Sequence, residues 1–238
     1  MFAAISPTVG TQPFNDWFTP DTVQRQPLGM TINAVDPYWG TGEFIYVKSN
    51  DVILKGSLVA WDETYTGVLL PSTTLQGFPF GVAMAPMAAG VFGWLQISGR
   101  AVYKTSATVA ADANVAIAAA GVVGASATGK QLVNVRNRVS ATGTITVSAL
   151  TTNGNNVLLC QKGYDGFFLG MALSGTGIPA STVVAGLDPD GKRIYTGSAI
   201  GTFGDKNSTA SGQVTITGTY TGYGSAIINR PFAQGAIT

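Results

Sequence analysis

The sequence has no histidine, a single cysteine, and charged residues at only 11% of its 238 positions. Histidine is the side chain whose unperturbed pKa lies nearest neutral pH, and it is the most frequent general acid or base. Zinc and copper sites depend on histidine and cysteine ligands, so we expect no metal, no cofactor and no catalytic centre. The abundant residues are glycine, alanine, threonine, serine and valine, which are typical of turns and strands. The composition therefore favours a structural protein over an enzyme.

The charges nearly balance, because 13 basic and 12 acidic residues give a net charge of +1. This balance provides no electrostatic reason to expect nucleic acid or an anionic membrane as a partner. An alanine-rich stretch at residues 107–127 is interrupted by Asp112, Asn114 and Gly121, so we do not predict a membrane span there. The lone Cys160 cannot form an intramolecular disulfide, and residues 1–7 do not resemble a signal peptide. We therefore expect synthesis in the cytoplasm.

Residues 1–30 are predicted to form an extended arm. Four prolines occur in this segment: Pro7, Pro13, Pro20 and Pro27. Proline at this density excludes a helix or a central strand. Phe14, Trp17 and Phe18 lie among the prolines, and a solvated coil would expose their large apolar area. The arm is expected to lie over another protein or to fold back on its own domain, and the sequence favours neither.

Residues 31–139 together with 222–238 are predicted to form a main β-barrel or sandwich domain. Short apolar segments alternate here with turns rich in glycine, asparagine and aspartate. The apolar segments are residues 43–48, 57–61, 67–70, 81–85, 92–104 and 131–136. Regularly spaced short strands of this kind indicate a barrel or a sandwich.

A change in composition near residue 140 predicts an inserted domain at residues 140–221. All four tryptophans precede this point. Beyond it, threonine-alternating strands such as residues 142–147 and 212–217 are separated by turns at 153–156 and 188–191. This pattern is typical of a small antiparallel β-sandwich. The overall prediction is an all-β protein with an arm, a main barrel and an inserted sandwich.

Two short motifs suggest ligand binding but are better explained as turns. Residues 124–130 have the spacing of a phosphate-binding loop, yet Gln131 replaces the required Ser or Thr and a strand follows instead of a helix. The segment Asp188-Pro189-Asp190-Gly191 begins like a calcium loop, but no further acidic ligand follows at suitable spacing. We predict a hairpin loop and a type I turn, respectively.

Three other candidate groups lack a distinguishing pattern. The two glutamates and ten aspartates could supply a glycosidase carboxylate pair, but nothing in the sequence singles one out. Trp39, Trp61 and Trp94 could form a carbohydrate-binding face, although aromatic residues in strands are more often core. Cys160 is predicted to be a buried apolar residue, because no cationic cluster adjoins it to lower the thiol pKa.

Several segments together resemble the head decoration (cement) proteins of tailed bacteriophages. The similarity lies in residues 26–29, 34–37, 42–46, 81–85, 92–99 and 228–235. A further segment, residues 170–180, resembles a repeat found in many phage structural proteins of head and tail.

The resemblance implies a virion protein that binds the outer surface of the capsid and bridges neighbouring major capsid proteins. It implies a homo-oligomer, for which a trimer is favoured over a dimer, and synthesis in the host cytoplasm. Phe14, Trp17 and Phe18 are the candidate contacts with the capsid. The alternative is a tail or fibre component that binds host glycans through residues 140–221.

Overall fold

The structure is a computed structural model that describes residues 3–4, 20–36, 40–73, 77–139, 142–161, 163–164, 167, 170–188 and 192–234. These residues form seventeen strands and no helix, which confirms the predicted all-β class. None of the described segments is therefore a helix long and apolar enough to span a membrane. The chain divides into two compact units, one of Thr142–Thr221 and one of Phe2–Ala141 with Gly222–Thr238.

The larger unit contains eleven of the described strands. They are β1 (Ala3–Ala4), β2 (Thr31–Asp36), β3 (Gly40–Ser49), β4 (Leu58–Trp61), β5 (Thr66–Leu69), β6 (Phe80–Ala83), β7 (Phe92–Lys104), β8 (Val115–Ala119), β9 (Val122–Ala125), β10 (Leu132–Val139) and β17 (Tyr223–Ala233). Nine of them form one sheet in the order β1-β2-β3-β5-β4-β6-β7-β17-β10, and β8 and β9 form a separate hairpin.

An additional pairing between β3 and β7 closes part of the large sheet into a ring. β3 pairs with β5 in parallel and with β7 in antiparallel, so strands β3, β5, β4, β6 and β7 form a complete circuit. One apolar cluster is built mainly from alternate residues of these strands: Ile45, Val47, Ile53, Val59, Ala83, Met87, Leu95 and Ile97. Burial of each larger side chain of this kind stabilises the fold by about 1.5–3 kcal/mol.

Three of the ring strands, β4, β6 and β7, also contribute residues to a second apolar cluster. Val59 belongs to the first cluster, whereas its neighbours Leu58 and Ala60 belong to the second. This follows from the two-residue period of a strand, which sends successive side chains to opposite faces. The β8–β9 hairpin and strands β10 and β17 supply the other side of the second cluster, through residues such as Ile117 and Ile228.

A bulge in β7 is held by a buried glutamine. The register between β3 and β7 shifts at Ile97, because Phe44 pairs with Gln96 while Glu43 pairs with Ser98. The Gln96 side-chain amide donates hydrogen bonds of 3.0 Å to two backbone carbonyls beyond the bulge, those of Ser98 and Arg100. The bulge thus leaves the buried amide satisfied and lets the thirteen-residue strand contribute to both clusters.

The smaller unit is a closed six-stranded barrel. Its strands are β11 (Thr142–Thr151), β12 (Val157–Leu159), β13 (Ala172–Gly175), β14 (Thr182–Leu187), β15 (Arg193–Gly197) and β16 (Gly212–Thr221), in the order β11-β12-β15-β14-β13-β16. The sequence predicts a sandwich here. Closure follows from the pairing of β16 with both β11 and β13, a relationship between distant segments that strand alternation does not encode. Gly218 leaves room inside this unit for the side chains of Met171 and Phe167.

Candidate interaction site

The predicted capsid contacts Phe14, Trp17 and Phe18 lie outside the described residues, as does Trp39. The structure does describe residues 20–30, the C-terminal part of the predicted arm, which we call the arm root. It also describes the backbone of Ala3 and Ala4, which pairs antiparallel with β2. The described parts of the predicted arm are thus attached to the larger unit.

The backbone of the arm root is bonded to the first residue of β7. The Asp21 amide donates to the Phe92 carbonyl at 2.8 Å, and the Phe92 amide donates to the Asp21 carbonyl at 2.9 Å. These two bonds form an isolated antiparallel bridge. The arm root is thereby attached to a strand of the closed ring.

A buried tyrosine of β3 holds the Asp21 side chain. The Tyr46 hydroxyl donates to Oδ2 of Asp21 at 2.7 Å, and Arg25 forms an ion pair with Oδ1 at 3.0 Å. The Tyr46 ring is fully buried and lies 5.0 Å from the Trp94 ring and 6.3 Å from the Phe92 ring, between centroids. Burial raises the pKa of Tyr46 well above its usual range, and the bond to Asp21 raises it further.

A glycine turn leads from the arm root into β2. Gly29 has a φ of 77°, a conformation that other residues rarely adopt, and its amide donates to the Tyr46 carbonyl at 2.8 Å. A Cβ atom at Gly29 would meet the ring of Tyr65. The turn therefore requires glycine both for its backbone conformation and for the close approach of Tyr65.

The geometry of the arm root suits mechanical attachment rather than chemistry. The Tyr46 phenol is held protonated far above neutral pH, and Asp21 is engaged by two donors. A force applied to the arm at residue 20 would pass through backbone bonds into β7 and through Tyr46 into β3. Both strands belong to the ring, which has no free edge between them.

The structure also locates Trp61, Trp94 and parts of the two short motifs that the sequence suggested as binding sites. Trp94 is buried, and Trp61 packs against the first apolar cluster, so neither stands on an exposed face. Gly124 lies within β9, and the rest of the phosphate-loop motif connects β9 to β10. The prediction of a hairpin loop is wrong, because β9 pairs with β8 and β10 pairs with β17, so the segment joins two different sheets. A strand follows the motif and not a helix, as the sequence predicts. Residues 189–191 of the Asp-Pro-Asp-Gly turn lie outside the described residues.

Two of the described carboxylates are held by neighbouring donors, and the thiol is buried. Glu43 is held by Arg230 through bonds of 2.6 and 3.1 Å, and Asp62 accepts hydrogen bonds from the Thr64 and Thr66 amides within its own turn. Within the described ranges no cluster of three or more acidic or cysteine side chains could hold a metal ion. Cys160 is buried, and burial raises the pKa of its thiol to about 12.

Sequence reasoning missed Tyr46 and Asp21 as a pair. They are 25 residues apart, and neither belongs to a motif. The only feature of the sequence that bears on this contact is the proline-rich composition of the arm. It predicts an extended segment but does not indicate which strand the segment binds.

Comparisons with known proteins found no relative of this chain. No protein-family model, no curated protein and no solved structure matches the chain.

Proposed function

We propose that this protein is a structural virion component that binds the outer surface of a phage capsid and bridges neighbouring major capsid proteins. The observation that carries the proposal is the attachment of the arm root to a closed ring, through the Asp21–Phe92 bridge and the Tyr46–Asp21 bond. The resemblance of residues 81–85 and 92–99 to decoration proteins supports it, because these residues include parts of the ring strands β6 and β7.

The physical role is that of a clamp. An arm that carries Phe14, Trp17 and Phe18 offers apolar anchors of the kind that dominate binding energy at protein interfaces. A body that contacts one capsid subunit and an arm that contacts the next would add buried area across the joint between them. Internal pressure would then have to break more interface to separate the subunits.

Self-association would strengthen such a clamp. A trimer suits three-fold positions of a capsid shell, since closed rotational symmetry lets each copy make the same contacts, and a dimer is the alternative. Several copies bound together raise the overall avidity without any new type of contact.

The test compares the intact chain with a variant that lacks residues 1–19, which retains Asp21 and Arg25. Both are mixed with phage heads assembled without this protein, and bound protein is measured after sedimentation. The intact chain is expected to bind and to raise the temperature at which heads rupture. The truncated chain is expected to fold, with unchanged circular dichroism, but to bind more weakly. Failure of the intact chain to bind heads would refute the proposal.

The second candidate function is that of a tail or fibre component that binds host glycans through the barrel unit. Its specific support is Phe203, which is 56% exposed and lies edge-on to Tyr195 at 5.8 Å between ring centroids. An exposed aromatic ring is a surface on which a sugar can stack. Labelling the protein on intact virions separates the two functions, because label over the whole head indicates decoration and label at one vertex indicates the tail.

A further inference from the structure

One face of the sheet formed by β7, β17 and β10 carries a row of arginines around an exposed isoleucine. Ile227 of β17 pairs with Arg100 of β7 on one side and with Arg136 of β10 on the other. Directly paired residues project from the same face of a sheet. The neighbours of Ile227, Ala226 and Ile228, are buried in the second apolar cluster, so Ile227 and the two arginines lie on the opposite, outward face.

The outward face holds more basic than acidic side chains. Its cations are Arg100, Lys104, Arg136, Arg138 and Arg230, and we call this set with Ile227 the arginine face. The described carboxylates in contact with it are Asp112 and Glu43. Counted over these described side chains alone, the cations outnumber the carboxylates by three, whereas the whole chain has a net charge of +1.

Both carboxylates are already bound by arginine. Asp112 accepts from Nε of Arg136 at 2.6 Å and from Nη1 of Arg138 at 2.8 Å, and these bonds lower the pKa of Asp112. Each guanidinium carries five N–H donors, so one shared carboxylate leaves most donors of this pair directed elsewhere. The side chains are accessible, because those of Arg136 and Arg230 are 62% and 70% exposed and Ile227 is 45% exposed.

Protection of the sheet edge explains only part of this arrangement. β10 is the last strand of the sheet, and its register shifts and its charges, Arg136 and Arg138, discourage the addition of another strand. Ile227 and Arg230, however, belong to β17, which is paired on both sides. An apolar residue exposed between arginines on an interior strand protects no edge. An apolar side chain surrounded by arginines is instead a composition found at the centre of protein interfaces, where arginine is enriched.

We propose that the arginine face docks on an acidic patch of the capsid protein shell. This inference rests on the capsid-binding function proposed above and assigns to it a surface separate from the arm. Guanidinium groups pair with carboxylates in a planar, two-bond geometry, which fixes the orientation of the docked protein as well as attracting it. Ile227 lies at the centre of the row and would be covered by the partner. A protein partner is favoured over nucleic acid, because the exposed apolar centre has no use in contacts with phosphates.

The experiment measures binding of four full-length variants to heads that lack the protein, at low and at physiological salt. R136E/R138E reverses the two exposed charges of β10. D112N removes the negative charge that both arginines share, and asparagine tolerates the positive φ of 62° found at this position. I227S removes the apolar centre. R193E/K206E makes the same change in net charge at residues of the barrel unit that are not part of the arginine face, and it serves as the matched control.

The expected result is a loss of affinity of about tenfold or more for R136E/R138E, mainly in the association rate and strongest at low salt. D112N is expected to bind at least as tightly as the wild type, I227S more weakly, and the control like the wild type. D112N and I227S keep the arginines in place, so they test the face even where the double charge reversal fails to fold.

Two outcomes overturn the inference while the proposed function stands: wild-type binding by both R136E/R138E and I227S, or an equal loss in the barrel control. If the wild type does not bind heads at all, the proposed function fails and the docking inference fails with it. A parallel assay with double-stranded DNA covers the remaining class of partner. The wild type could bind DNA while R136E/R138E does not, with both proteins binding heads equally well. That result would assign the face to nucleic acid instead.

Discussion

The hydroxyl of Tyr46 donates a 2.7 Å hydrogen bond to the carboxylate of Asp21, which joins a fully buried ring of β3 to the arm root. Hydrogen bonds to charged acceptors contribute more than neutral ones, about 1.5–3 kcal/mol. The bond also orients the carboxylate toward Arg25. It is therefore a specific attachment of the arm and not only a contact of surfaces.

Replacing Tyr46 by phenylalanine is expected to lower the free energy of unfolding by about 1–3 kcal/mol, because the buried hydroxyl and its bond are lost while the ring is kept. Urea unfolding measures the change. Residues 20–30 of this variant should also be cut faster by a protease. D21N is the comparison, since it keeps an acceptor for the phenol but loses the charge that pairs with Arg25, and a smaller effect is expected. An unchanged rate of cleavage in Y46F would contradict the attachment.

Substitution of Gly29 by alanine is expected to destabilise the larger unit by about 1–3 kcal/mol. The reason is twofold, namely the positive φ of 77° and the contact of the new Cβ with the Tyr65 ring. Gly77 is the matched control, because its φ is 71° and no atom lies within 4 Å of the position of a Cβ. The difference between the thermal unfolding midpoints of G29A and G77A measures the contribution of the contact with the Tyr65 ring. Equal midpoints would show that Tyr65 moves aside without cost.

The sequence predicts much of the local structure of the larger unit and little of its closure. The short apolar segment at residues 57–61 predicts a strand, which the structure confirms as β4. That Val59 and its two neighbours enter different apolar clusters is known only from the structure. The pairing of β3 with both β5 and β7 joins segments that are far apart in the chain. A local sequence pattern therefore does not predict that the strands close into a ring. For the same reason a closed barrel and a sandwich cannot be told apart in residues 142–221, since both require only short alternating strands.

The candidate site is predictable only as a composition. The prolines and aromatic residues of the arm predict an extended segment, but Tyr46 looks like any other aromatic residue in a strand. Its partner is chosen by tertiary packing, as is the row of Arg100, Ile227 and Arg136, whose members come from three strands. Polar residues that meet across such distances carry no signal in a single sequence.

Asn137 is the most connected buried polar side chain of the larger unit, and its replacement by alanine is expected to cost about 3 kcal/mol or more. Its amide donates to the carbonyls of Val109 and Ala110 at 2.8 and 2.7 Å, and its oxygen accepts from the Tyr103 hydroxyl. Removal leaves these buried groups without their partner. Asn229, which is exposed on β17, is the control, and N229A should change the free energy of unfolding by less than about 0.5 kcal/mol. Equal effects of the two substitutions would contradict this role of Asn137.

Stability is expected to fall at alkaline pH because of the buried phenol of Tyr103. Burial raises the pKa of Tyr103 from 10.0 to about 12, so the unfolded chain loses this proton first. The stabilisation is complete below pH 10 and is lost as the pH rises toward 12, by up to about 1.4 kcal/mol per pH unit. Urea unfolding at several values of pH should give a shallower decline for Y103F than for the wild type. The same slope for both proteins would exclude Tyr103 as the cause.

Chemical labelling of Cys160 and tryptophan fluorescence should report on the two units separately. The only cysteine lies in the barrel unit, where burial raises its pKa to about 12, and all four tryptophans belong to the other unit by sequence. A thiol reagent should therefore react slowly with the native protein, and C160A supplies the background rate. Because each unit has its own buried residues, we expect the labelling and fluorescence transitions to occur at different urea concentrations. Coincident transitions would show that the two units unfold as one, and rapid labelling without urea would show that the barrel opens readily in the native state.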